Sequence, residues 1–245
     1  IRMMATIIGL AAFRRGMDLY FTRHDNHAVT IDDFVAAMQD ASGVDLDAFK
    51  LWYHQAGTPE ITIADAYDAA ARRYTLTLRQ RTAPTPGQPD KQPLVVPVAM
   101  GLLTDDGTEL PTRLAGDTEA KPGTRVLLLT QAEQSFVFED VPSLPTPSLL
   151  RGFSAPVKLS GLSLDHLQFL AANDTDPFVR WESGQQYATQ VLLAQIERWQ
   201  HGERRLEAPD GIIAAVAATL MGTDGDPAFA AETMALPSET FLADQ

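Results

Sequence analysis

The sequence predicts a multi-domain chain of helices and strands: helices over residues 1–57, a small antiparallel β-sandwich over 58–158, and helices again over 159–245. Three observations carry this division. Proline is absent from 1–57, occurs twelve times in 58–158 and four times in 159–245; because it removes a backbone donor and breaks helix interiors, the middle part cannot be helical. The apolar spacing also changes, from helical in the first part to strict alternation in the second and back to helical in the third. Charge follows the same boundaries. Residues 159–245 hold 4 Lys/Arg against 13 Asp/Glu, so −9 of the net −13 lies there. That excess reads as a solvated helical surface, with attraction of cationic ligands such as peptide amines as the sharper alternative.

Taken in order, Ile31, Phe34, Val35 and Met38 form one apolar stripe. Thr30 is placed to cap their helix, with Asp33 as a short-armed capping box, and Gly43 suits its end. Asp45 can cap a following helix that carries Leu46, Phe49 and Tyr53, and Gly57-Thr58-Pro59 ends helical structure. Ile61 and Ile63, then Tyr74, Leu76 and Leu78, alternate with polar residues, and the Asp65–Arg72 connection between them predicts a hairpin. Further strands are expected over Leu94–Leu103, Arg125–Thr130, Ser135–Glu139 and Arg151–Leu159, with turns at Asp105-Asp106-Gly107, Gly116-Asp117 and Lys121-Pro122-Gly123. Thr82–Pro93, with four prolines, reads as an exposed linker. In the last part, Asp176-Pro177 and Asp226-Pro227 each set a capping carboxylate before a first-turn proline. Phe178, Trp181, Ala188, Leu192, Ile196 and Trp199 share one face of a helix of about six turns. Shorter helices are expected over Leu164–Ala172, Gly211–Met221 and Ala228–Met234, the pattern of a stacked array of helical hairpins.

Composition narrows function. With no cysteine, disulfides, thiolate metal sites and cysteine nucleophiles are excluded, and a cytoplasmic setting is expected. A net charge of −13 disfavours nucleic acid as a partner, and no apolar run approaches the roughly 20 residues that span a bilayer. Ile1-Arg2 leads into a helical pattern and not a secretory leader, which reads as a segment excised from a longer polypeptide.

The search for chemistry returns no active site. His24-Asp25-Asn26-His27 has two imidazoles three apart around a carboxylate but no third ligand nearby, and a polar helix terminus accounts for it. His54 suits a hydrogen-bond partner at a helix end, and His166 and His201 stand alone on helices. Neither a Gly-x-Ser-x-Gly elbow nor a phosphate-binding glycine motif occurs. Arg72, Arg73, Arg79 and Arg81 form the one basic cluster, a solvated hairpin in which Asp65 and Asp68 can pair with them, or a docking surface for the acidic helical part. Trp52, Trp181 and Trp199 fall on helical stripes and read as core. No catalytic, cofactor-binding or metal-binding residue is assigned.

Ordered runs along the chain resemble a known family. They are Phe13-Arg14-Arg15-Gly16-Met17-Asp18-Leu19-Tyr20-Phe21-Thr22-Arg23-His24-Asp25, Asp32-Asp33-Phe34-Val35-Ala36-Ala37-Met38 and Trp52-Tyr53-His54-Gln55 with Gly57-Thr58-Pro59. Tyr74-Thr75-Leu76-Thr77-Leu78, Thr130-Gln131-Ala132-Glu133-Gln134 and Phe153-Ser154-Ala155-Pro156-Val157-Lys158-Leu159 continue the series, which thins after Leu159. Together they resemble the bacterial aminopeptidase N family, zinc-dependent exopeptidases of the gluzincin group. The resemblance implies that 1–57 is a helical remnant of a thermolysin-like catalytic domain, 58–158 its β-sandwich, and 159–245 the start of a superhelical domain. It implies a parent that removes N-terminal residues from peptides with zinc, and the remainder of the polypeptide as partner. The His-Glu-x-x-His and Gly-Ala-Met-Glu-Asn motifs of that family are absent here, so none of its catalytic residues is carried over, no zinc is expected in this chain, and it is expected to be inactive alone. The competing readings are a non-enzymatic scaffold and a carbohydrate- or peptide-binding sandwich. The second would want exposed strand aromatics, and Tyr67, Tyr74 and Phe136 are few and core-like.

Overall fold

The computed structural model describes residues 1–205, 210–221 and 226–244. Four helices open the chain: α1 (Arg2–Ile8), α2 (Leu10–His24), α3 (Ile31–Ser42) and, after a 3-10 turn at Ala48–Lys50, the single turn α4 (Leu51–His54). Thr30 and Asp33 form the expected capping box, with the Thr30 N–H donating to Asp33 Oδ2 at 2.8 Å. That bond, with a second from the Thr30 hydroxyl, holds the Asp33 carboxyl below its ordinary range. Phe34, Val35 and Met38 are buried as the stripe predicts, while Ile31 at its start stays 40% exposed. Their cluster includes Met4, Leu46 and Phe49.

The sandwich is made of β1 (Pro59–Asp68), β2 (Arg73–Thr82), β3 (Val96–Leu103), β4 (Glu109–Leu110), β5 (Arg113–Leu114), β6 (Arg125–Leu129), β7 (Glu133–Glu139), β8 (Thr146–Leu149) and β9 (Lys158–Ser160). One sheet runs β5-β7-β2-β1-β9; in the other, β3 pairs with β4, β6 and β8. Pairing of β1 with β2 from Pro59↔Thr82 to Asp68↔Arg73 is antiparallel and turns Ile61, Ile63, Tyr74, Leu76 and Leu78 into one core with Val96, Val98, Met100, Leu127 and Phe138. Every residue of β3 is buried, as expected for a strand covered on both faces.

The sandwich departs from the sequence reading in three ways. First, Arg151–Leu159 is not one strand. β8 ends at Leu149, a 3-10 turn occupies Arg151–Phe153, and only Lys158–Ser160 returns to a sheet; Gly152 and Pro156 break the pattern, and Arg151 is 4% exposed with its guanidinium buried. Second, β9 pairs with β1 in parallel, Ile61 opposite Leu159, in an otherwise antiparallel pairing set. Third, the two-residue strands β4 and β5 are too short to show a period.

Thr82–Pro93 is largely exposed, but it is strapped to the end of α4. Gln88 donates to the His54 carbonyl at 2.8 Å and accepts from the Ala56 N–H at 2.8 Å. Gln55 and Gln92 exchange two bonds, and Lys91 donates to the Ala56 carbonyl at 2.9 Å and to Thr85 at 2.6 Å. Beside this strap, Trp52 packs against both the helical cluster and the sandwich core, and its Nε1 donates to the Val95 carbonyl at 2.8 Å.

The third part holds α5 (Leu164–Asn173), α6 (Pro177–Gln200), α7 (Asp210–Met221), α8 (Pro227–Met234) and α9 (Glu239–Ala243). Side chains at Ser163, Asp176, Asp226 and Ser238 cap α5, α6, α8 and α9. The buried face of α6 differs from the expected stripe. Val179, Ser183, Tyr187 and Ala188 are buried, whereas Ile196 and Trp199 remain 42% and 48% exposed. The apolar period continues, but the last turns of α6 lie outside the cover that its first half receives.

Trp52→Ala is expected to lower stability by about 3 kcal/mol, because it opens a cavity shared by two cores. Trp52→Phe, which keeps a ring but loses the bond to Val95, is expected to cost about 1 kcal/mol. Urea denaturation followed by far-ultraviolet circular dichroism distinguishes the two; equal, negligible effects would remove Trp52 from the joint.

Candidate functional site

The structure disperses the residues that sequence reading weighed for chemistry. The His24 ring lies against Tyr20, 5.4 Å between centroids, and the His27 N–H donates to the His24 carbonyl at 3.0 Å, closing the end of α2. His54 takes part in the strap through its carbonyl, the His166 N–H meets the Ser163 cap, and a ring nitrogen of His201 lies 2.8 Å from the Glu197 carbonyl. Among the described residues no three His, Asp or Glu side chains converge on a point that could hold one ion. The arginine cluster does not use the expected carboxylates. Arg79 pairs with Glu133 at 2.6 Å and Arg72 donates to the Asp140 carbonyl. Asp65 instead accepts the Tyr74 hydroxyl at 2.9 Å, and Asp68 the Ala71 N–H. Burial, reinforced by Asp65, pushes the Tyr74 hydroxyl far above its ordinary titration range.

The most concentrated polar construction joins the sandwich to the helical array, and its centre is Arg151. Its Nε donates to Ser148 Oγ at 2.7 Å; Nη1 donates to Glu109 and, at 3.2 Å, to Thr124 Oγ1; Nη2 reaches Asp174 Oδ1 at 3.5 Å. Glu109, Thr124 and Ser148 belong to the sandwich, while Asp174 ends α5. The guanidinium lies on Gly101 of β3, where an added Cβ would stand 2.5 Å from its central carbon; only a residue without a side chain leaves that space. Asp174 accepts the Asp176 N–H at 2.8 Å. Its carboxyl titrates above the ordinary range because burial outweighs the opposing pull of Ser148, the Asp176 N–H and the Arg151 charge.

The backbone carrying Arg151 is strained. Leu150 (φ 61°) and Phe153 (φ 54°) both hold left-handed conformations, as does Gly152 between them (φ 60°), at a cost of about 1–2 kcal/mol for each residue bearing a Cβ. The segment keeps this shape because each neighbour anchors it. The Gly152 N–H donates to Asp176 Oδ2 at 3.0 Å, its carbonyl accepts from Arg2 Nη1 at 2.6 Å, and the Phe153 and Phe178 rings lie 5.1 Å apart. Sequence reading missed these partners of Arg151 because Arg151–Leu159 reads as a strand, entered from the apolar run Leu149-Leu150. The signal available was an arginine directly after that run.

Comparison with known proteins accounts for this architecture. Residues 57–161 match a domain of unknown function, DUF3458, described as an Ig-like fold, and residues 164–245 match DUF3458_C, described as ARM repeats. The whole chain is 44% identical to aminopeptidase N of Escherichia coli and 36% identical to that of Haemophilus influenzae, and it spans 28% of each. Over 99% of its length it is 46% identical to aminopeptidase N of Caulobacter vibrioides, spanning 26% of that protein. A solved structure of Legionella pneumophila aminopeptidase A in complex with aspartic acid superposes with a TM-score of 0.80 at 28% identity, over 99% of this chain and 26% of that one. The chain thus covers little more than a quarter of its relatives, and no aminopeptidase zinc motif occurs in its sequence. Its sandwich and its last helices thus match the DUF3458 Ig-like and ARM-repeat domains in succession, and the chain is homologous along its length to a part of aminopeptidase N.

Proposed function

We propose that this chain is a non-catalytic portion of a zinc-dependent aminopeptidase that removes N-terminal residues from peptides in the cytoplasm. In this reading 1–57 belongs to the catalytic domain, 58–158 is the sandwich and 159–245 opens the helical superhelix. The observation that carries it is homology over the full chain, at 36–46% identity, to proteins named aminopeptidase N. The residues present do not fit a zinc centre. Such a site needs three protein ligands and an open position for water, and the described His, Asp and Glu side chains do not converge in that way. The metal and the reacting groups then come from the remainder of the polypeptide, and a His-Glu-x-x-His motif is expected upstream of Ile1 in its coding sequence. No described helix is long and apolar enough to cross a membrane.

What this portion contributes is orientation. Two joints, at Trp52 and at Arg151, fix the sandwich between two helical bodies by buried contacts rather than by flexible linkers. In the longer enzyme, loss of either joint moves the helical superhelix relative to the catalytic domain.

Purified alone, the chain is expected to retain no stoichiometric zinc after dialysis and to leave amino-acid anilides intact; zinc-dependent hydrolysis by this chain would overturn the reading. At the second joint, Arg151→Met is expected to cost about 3–5 kcal/mol, because it leaves Glu109 and the buried Asp174 without their shared cation.

The pH dependence has a definite sign. Folded Asp174 holds a proton more tightly than an unfolded aspartate, so its contribution to stability rises as pH falls through its raised folded value and is complete below the unfolded one. Asp174→Asn cannot titrate. The wild-type chain should therefore gain stability relative to this variant as pH falls toward the range where an unfolded aspartate protonates, about pH 4, measured by paired urea titrations.

A further inference from the structure

We propose that Gly152 is a mechanical coupler that, beside the joints at Trp52 and Arg151, ties the orientation of the N-terminal helices to that of the helical array, so that releasing either of its two anchors releases both. Arg2 of α1 holds the Gly152 carbonyl at 2.6 Å, and Asp176, the cap of α6, holds its N–H at 3.0 Å. The two bonds leave one residue in two directions, and both depend on its φ of 60° and ψ of 23°. Return of this residue to a right-handed conformation swings the N–H and the carbonyl away together. Strain at Leu150 and Phe153 on either side favours that return once one anchor is lost, since such conformations persist only where surrounding contacts over-determine them. Room for the change exists: a cavity of about 70 Å³ lies against the segment, lined by Leu150, Phe153, Leu159, Phe178 and Val179. An added Cβ at Gly152 would meet nothing within 4 Å. Glycine stands there for its conformation, and Gly152→Ala tests strain without a clash.

The geometry makes an unusual demand. Arg2 does not touch the Gly152 N–H, which donates to Asp176 at the exposed surface, yet its loss must free that N–H from Asp176. Asp176 uses separate oxygens for Gly152 and for Val179 of α6, so Asp176→Asn can keep the helix cap through one oxygen while the amide nitrogen cannot accept from Gly152.

Hydrogen exchange of the Gly152 amide, read by NMR in the 245-residue chain, is expected to accelerate on the order of tenfold in Arg2→Met, comparably in Gly152→Ala and in Asp176→Asn, and no further in the Arg2→Met/Asp176→Asn pair. The absence of cysteine permits a second readout: spin labels at Thr22→Cys on α2 and Gln190→Cys on α6 should give one narrow distance distribution that each variant broadens to the same extent. Unchanged Gly152 exchange in Arg2→Met, or broadening that adds between Arg2→Met and Asp176→Asn, would overturn the coupler. The meaning of the coupler for peptide hydrolysis rests on the function proposed above, but these readouts do not. Hydrolysis by the isolated chain would defeat that function and leave the coupling intact.

Discussion

The rest of this structure is arranged around the burial of one guanidinium. Removing an arginine from water costs several kcal/mol unless its donors are met, and Arg151 meets partners from four places in the sequence: Glu109, Thr124, Ser148 and Asp174. That requirement reaches outward. It demands a glycine at position 101 on the central strand, turns the chain out of the sheet immediately after β8, and brings the end of α5 to the sandwich so that Asp174 can approach. The start of α6 follows, because Asp176 lies two residues on and caps it. A hydrophobic contact could have joined the two domains with comparable strength but without fixing a register; a charge with directional donors specifies one arrangement.

The two joints differ in kind. At the first, Trp52 shares its ring between two apolar cores, and Gln88 and Lys91 of the strap bind the neighbouring backbone from outside. At the second, polar groups lie inside and the aromatic pair Phe153–Phe178 beside them. Homology to about a quarter of aminopeptidase N gives both a common sense: the chain carries no catalytic motif in its sequence, and its most constrained chemistry lies where its three bodies meet.

Local features were legible in the sequence. The Thr30–Asp33 box and the caps at Asp176 and Asp226 depend on residues three apart, and the strand periods of β1 and β2 follow from the pleat. Features that depend on distant partners were not. Nothing near Arg151 in the chain announces Glu109 or Asp174, the strap looks like an ordinary proline-rich loop until His54 and Ala56 are placed beside it, and the apolar period of α6 does not say where its cover ends. The arginines near Arg72 found carboxylates and carbonyls on β7 and after it, since pairing across a sheet is set by register and not by proximity in sequence.

The strap also bears on how such chains can vary. Surface loops rich in proline are where insertions and deletions are ordinarily absorbed. Here the loop is anchored in its middle and near its C-terminal end: Gln88 to His54, Lys91 to Ala56, Gln92 to Gln55. Adding a residue between Thr85 and Gln92 would displace donors from acceptors that belong to another domain. Length variation among relatives should therefore collect elsewhere, while this loop keeps its count even where its side chains drift.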